Sequence, residues 1–184
     1  MKTLNQKRTI YLDMDGVMAD FETAASTCLG TPYIDTLDGV NAHLYPASQW
    51  AQLSNIPNYF RYLPKMPLAD QLMMLAKRFR DEMDWDLYML TAMPHDGTLP
   101  DGFQDKIDWM AYYYPGVRVR FGPYSKDKQQ HCKPGDILVD DRVINCDQWT
   151  AVGGIAVQVT KTYTDALIQL QTIFDQSALD YCSQ

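Results

Sequence analysis

A three-layer α/β/α domain built on a parallel sheet is the fold class this sequence predicts, and three observations predict it. Strand-like and helix-like patterns alternate along the chain, the arrangement expected of parallel strands joined by crossover helices. The 184 residues suffice for one such domain with a modest insertion. One stretch alone, Gly30 to Pro67, breaks the alternation. It is rich in Pro, Gly, Asn and aromatic residues and has weak periodicity. A structureless loop of that length is unusual inside a compact domain, so a small, mainly helical cap is expected there.

The elements follow in order. The first strand spans roughly Arg8 to Met14, where the apolar, β-prone run Ile10-Tyr11-Leu12 ends at acid and glycine, which marks the strand as buried. Phe21 to Cys28 suits a short helix, and Pro46 to Leu53 another inside the inserted segment. Leu68 to Glu82 carries Leu72, Leu75, Ala76 and Phe79 at helical spacing. Asp86 to Thr91 is the second strand. Gly102 to Tyr114 is a helix stopped by Pro115-Gly116. Val117 to Phe121 is the third strand, followed by a short helix from Lys126 to Cys132. The turn Pro134-Gly135 leads into the fourth strand, Asp136 to Asp140. Val143 to Val152 is helical, Ile155 to Val159 is the fifth strand, and Thr164 is the expected cap of a last helix running to about Leu179. The domain limits expected from this are 1–29 and 68–184 for the core and 30–67 for the cap.

A formal net charge of −7 argues against general binding to a nucleic-acid polymer, though not against a single nucleotide. Cys28, Cys132, Cys146 and Cys182 are scattered and form no CxxC pair, as expected of reduced thiols in a cytoplasmic protein. Met1 to Thr9 lacks the apolar core of a signal peptide, and no apolar run is long enough for a bilayer span. His43, His95 and His131 have no partner spacing and receive no role.

The residues that carry chemistry lie at strand ends. Asp13 and Asp15 follow the first strand, Thr91 ends the second, Lys126 and Lys128 precede the fourth, and Asp140 and Asp141 end it. The carboxyl ends of parallel strands share one edge, where ligands bind in open α/β sheets. Several carboxylates gathered there repel one another unless a cation intervenes, and hard oxygen donors suit Mg²⁺. Each piece alone has an ordinary explanation: DxD is a common turn and capping pattern, Thr91 a plain strand end, the lysines a solvated face. Their order along the chain is what points to a site.

Asp-Met-Asp-Gly-Val, then Leu90-Thr91-Ala92, then lysine, then Ile137-Leu138-Val139-Asp140-Asp141-Arg142 resembles the haloacid dehalogenase (HAD) superfamily of phosphatases over nearly the whole chain outside the cap. Within it, Asp13 to Glu22 (DMDGVMADFE) is similar to the opening of the 5′(3′)-deoxyribonucleotidases. The resemblance implies a Rossmann-like core and a Mg²⁺-dependent phosphomonoesterase acting on nucleoside monophosphates, deoxy forms among them. Asp13 is then the nucleophile and Asp15 the general acid and base. Mg²⁺ is implied at Asp13, the Asp15 main-chain carbonyl and Asp141. Asp140 is implied behind them, orienting the lysine. Thr91 and an amide near Ala92 are implied as phosphate contacts. Lys126 is favoured over Lys128 for the same role, with Lys106 third. Phe21 matches a base-packing position, and Trp50, Tyr59 and Phe60 are the cap aromatics expected to complete the slot. A homodimer is compatible with the resemblance. Two other outcomes stay open: a phosphatase for another small monoester such as a sugar phosphate, and a non-catalytic phosphate-binding module.

Overall fold

The computed structural model describes residues 7–31, 45–93, 99–122, 124–160 and 163–182. Five parallel strands form one sheet in the order β3-β2-β1-β4-β5: β1 (Thr9–Leu12), β2 (Asp86–Ala92), β3 (Arg118–Gly122), β4 (Ile137–Asp140) and β5 (Ile155–Gln158). The chain lays β2 and β3 to one side of β1, then crosses to lay β4 and β5 on the other. The strand order therefore reverses between β1 and β4, and their carboxyl ends open a crevice of the kind in which α/β proteins hold ligands.

Side chains alternate across the pleat, so Ile10 and Leu12 enter one core and Tyr11 the other. On the first face, Ile10, Leu12, Met89, Ile137 and Val139 are covered by α1 (Phe21–Leu29), α3 (Ala69–Met83), α4 (Gly102–Tyr113) and α6 (Tyr163–Cys182). The second face is thinner. Tyr11, Tyr88, Leu90 and Leu138 pack there on Trp149 of α5 (Val143–Ala151) and on Cys132, which follows the 3₁₀ helix Ser125–His131. The Arg120 guanidinium closes its rim, 3.7 Å above the Tyr88 ring.

The expected elements are present with ends shifted by up to three residues. Asp20 caps α1 by accepting a hydrogen bond from the Thr23 amide at 3.1 Å, and Gly30 closes it at φ 61°, where a side chain would be strained. Thr164 is not a cap: α6 already begins at Tyr163, whose buried hydroxyl donates to the Val17 carbonyl and ties the helix start to the loop after β1. Of the inserted stretch, residues 32–44 lie outside the described residues. The remainder holds α2 (Ala47–Leu53) and the 3₁₀ turn Phe60–Tyr62. Cys28, Cys132 and Cys146 are free thiols. Among the described residues no helix is long and apolar enough to cross a membrane.

Candidate active site

The loop after β1 turns sharply. Met18 and Ala19 both donate from their amides to the Met14 carbonyl at 2.8 Å, and Gly16 donates to Ala19 at 2.9 Å. Gly16 takes φ 78°, and a Cβ built on it would stand 2.6 Å from Asp141 Oδ2. Glycine is therefore required twice over here, by the backbone and by the approach of a carboxylate. The loop aims Asp13 and Asp15 to different sides.

Asp13 is buried at the crevice. Its Oδ1 accepts from the Met14 amide at 2.7 Å and lies 2.7 Å from the Lys128 ammonium. Lys128 Nζ also donates to Asp140 Oδ2 at 2.6 Å. The other oxygen of Asp140 accepts from the Arg142 amide and the Asn145 side-chain amide, both at 2.9 Å. Asp140 thus has both oxygens committed to fixing Lys128 and the turn into α5. Asp141 is different: its buried Oδ1 has no hydrogen-bond partner. Carboxylate oxygens of Asp13, Asp140 and Asp141 lie within 4.8 Å of one another.

The electrostatics follow from that crowding. Burial pushes the Asp13 carboxyl up to about 6, against the pull of Lys128, with Asp140 and Asp15 adding to the rise. Asp141 is raised well above the ordinary carboxylate range by burial and by its neighbours Asp140 and Asp13. Burial alone would lower Lys128, but Asp13 and Asp140 outweigh it and keep the ammonium charged. Three carboxylates face one ammonium, so ionising all three would leave two negative charges over in a dry crevice. A divalent cation would balance that surplus, and the unpartnered Asp141 oxygen is a donor waiting for one. The residues therefore fit a hard cation, with Asp13 and Asp141 as its side-chain ligands.

Asp15 faces the other way. Its Oδ2 accepts from Lys106 Nζ at 2.6 Å, and its Oδ1 is buried without a partner. Its carboxylate is not in the acidic cluster. Lys106 comes from α4, is 1% exposed, and also donates to Thr91 Oγ1 at 2.8 Å and to the Ala92 carbonyl at 3.1 Å. Since Thr91 Oγ1 accepts from Lys106, its own proton is free to point into the crevice. The contact made by Ala92 is through its carbonyl.

Of the two lysines in Ser125 to Lys128, the structure brings the Lys128 side chain to Asp13; the side chain of Lys126, favoured from the sequence, lies outside the described residues. Lys106, ranked third, proves to be central. Its signal was its place on the buried stripe of α4, with Gly102, Trp109 and Met110, where a lysine needs partners. Glu22, quoted only as part of the opening motif, is buried and accepts from the Tyr45 hydroxyl at 2.6 Å.

The aromatic residues expected to frame a substrate pack on one another. The Phe21 ring centre lies 5.8 Å from Trp50, 5.7 Å from Tyr59, 5.8 Å from Phe60 and 6.1 Å from Tyr45. Phe21, Tyr59 and Phe60 are buried and Trp50 partly so, which makes the cluster a small core in its own right. It meets the reactive loop at Phe60, whose ring lies 4.6 Å from the Lys106 ammonium. The segment is strapped down by backbone bonds from Asp20 to Pro64 and from Met66 to Met18, and by Trp109 Nε1 donating to the Leu63 carbonyl at 2.8 Å.

The parallel sheet thus sets an Asp-x-Asp loop after its first strand beside an acid pair after its fourth. The family model described as "5' nucleotidase, deoxy (Pyrimidine), cytosolic type C protein" matches residues 7–169. The chain belongs to that family and is, at that level, a nucleotide phosphatase. Among solved structures, one described as a HAD-hydrolase, YfnB from Bacillus subtilis bound to magnesium, is similar at 12% identity and a TM-score of 0.47, covering 83% of this chain and 86% of that one. A search of curated proteins found no match.

Proposed function

We propose that the protein is a Mg²⁺-dependent phosphomonoesterase that hydrolyses deoxyribonucleoside monophosphates through an aspartyl-phosphate on Asp13. One observation carries this reading: Asp13 sits buried at the point where the strand order reverses, held by Lys128, beside a carboxylate with an unpartnered oxygen. Lys128 fixes the nucleophile's orientation and stands ready to neutralise a phosphate that approaches it. Asp13 attacks phosphorus in line, and Asp15 protonates the departing alkoxide. Asp15 then takes a proton from the water that releases phosphate from Asp13. The Thr91 hydroxyl donates to a phosphate oxygen, and Asp140 keeps Lys128 in place. Asp13, Asp141 and the Asp15 carbonyl would hold Mg²⁺, which shields the negative nucleophile from a negative phosphate. Residues 30–67 act as a cap over the crevice, with the aromatic cluster as the cap's own core. The family's description supports the choice of deoxynucleotide and a cytosolic setting.

The test is a panel of phosphomonoesters with Mg²⁺, run on wild type and Asp13→Asn. Preference for dUMP or dTMP over sugar phosphates is expected, with turnover reduced by at least about a thousandfold in the variant. Faster hydrolysis of sugar phosphates would overturn the substrate assignment. Wild-type rates in Asp13→Asn would remove the nucleophile.

A further inference from the structure

We infer that Lys106 is a positioning residue for proton transfer, holding one oxygen of Asp15 so that the other is presented to the leaving group. This rests on the assignment of Asp15 as acid and base made above. An ammonium has three N–H donors. Lys106 spends all three, on Asp15 Oδ2, Thr91 Oγ1 and the Ala92 carbonyl. It has no donor left for a phosphate oxygen, which separates its task from that of Lys128. Asp15 is correspondingly asymmetric: Oδ2 is pinned and Oδ1 is buried without a partner. A carboxyl that must hand over a proton is most effective when its reacting oxygen cannot swing away. Lys106 supplies that restraint from a helix, a rigid base for it. Phe60 against its ammonium helps close that side of the lysine.

The proton is accounted for at each step. As the Asp13–phosphorus bond forms and the phosphorus–alkoxide bond breaks, the proton on Asp15 Oδ1 passes to the alkoxide oxygen. As water attacks phosphorus and the Asp13–phosphorus bond breaks, Oδ1 takes the water's proton and is restored.

Leaving groups that need no proton give the test. Lys106→Met and Asp15→Asn would be compared with the wild-type protein in Mg²⁺, on p-nitrophenyl phosphate and on dUMP. p-Nitrophenolate leaves without protonation, whereas the nucleoside alkoxide does not. In both variants kcat/KM on dUMP should fall at least about tenfold further than on p-nitrophenyl phosphate. Equal losses on both substrates in Lys106→Met, with the differential present in Asp15→Asn, would overturn the inference and leave the acid assignment standing. No differential in either variant would overturn the acid assignment itself. Thermal melting accompanies each assay, and Lys106→Gln, which keeps two of the three donors, replaces Lys106→Met if that variant unfolds. Loss of the fold in both would show a structural role and overturn the inference.

Discussion

Two buried lysines reach the loop after β1 from opposite sides, and the ground beneath them differs. Lys128 stands between Asp13 and Asp140 at the carboxyl edge of the sheet, and every group it touches belongs to the core. Lys106 reaches Asp15 from α4 with Phe60 of the inserted segment against it. The Asp13 carboxylate is 8% exposed, whereas that of Asp15 is 31% exposed. The bond making at phosphorus proposed for Asp13 thus falls on the drier side of the loop. Proton transfer is assigned to a part that touches the cap.

The sharpest way to break the comparison is to remove each lysine. Lys128→Met leaves two buried carboxylates facing each other without their cation, and should cost about 3–5 kcal/mol of stability. Lys106→Met should cost less, because water reaches Asp15 and relieves the uncompensated charge. Urea unfolding of both variants measures the difference. Equal losses would mean that the two sides are equally closed and that the division of labour has no structural basis.

The same contrast explains what was legible in the sequence. Four of the five strands are short local runs of apolar residues ending in a polar residue or a turn, and β3 alternates arginine with Val119 and Phe121, so the strands, and Asp13, Thr91, Asp140 and Asp141 at their ends, are legible in order. Lys128 could not be separated from Lys126, because a 3₁₀ helix does not follow the 3.6-residue period by which a face would be chosen. Lys106 was ranked low because its partners, Asp15 and Thr91, are 91 and 15 residues away and only the fold joins them. Phe21, Trp50, Tyr59 and Phe60 read as a group, but an aromatic ring serves equally well in a core and against a substrate. Spacing therefore does not say which ring turns inward and which towards a substrate.

A second prediction concerns the surplus negative charge on the Asp13 side. Saturating Mg²⁺ should stabilise the wild type by about 2–3 kcal/mol at a hundredfold excess over its dissociation constant. In a chain of this size that is a rise in melting temperature of roughly 5–10 °C. Asp141→Asn removes a charge and should abolish most of the rise while raising the metal-free melting temperature. A full Mg²⁺ response in that variant would move the cation away from Asp141 and make the acid cluster an electrostatic liability with no ligand.

The smallest effect lies on the cap side, at Glu22. Burial pushes its carboxyl up to about 7, only partly offset by the hydrogen bond from Tyr45. In the unfolded chain the same group titrates near 4.3. The folded state therefore holds the proton more tightly, and stability is greatest below pH 4. It declines as pH rises through the interval between the two values and levels off above 7. Glu22→Gln keeps an acceptor for Tyr45 and removes the titration. The variant should match the wild type near pH 4.5 and exceed it by about 1–2 kcal/mol at pH 8, a figure set below the full shift because water still reaches part of the group. Melting curves across that range measure the gap. A constant gap from pH 4.5 to 8 would mean that Glu22 is already ionised in the fold. The cap side would then carry a permanent negative charge beside its aromatic cluster, and its contrast with the charge-crowded Asp13 side would shrink to one of degree.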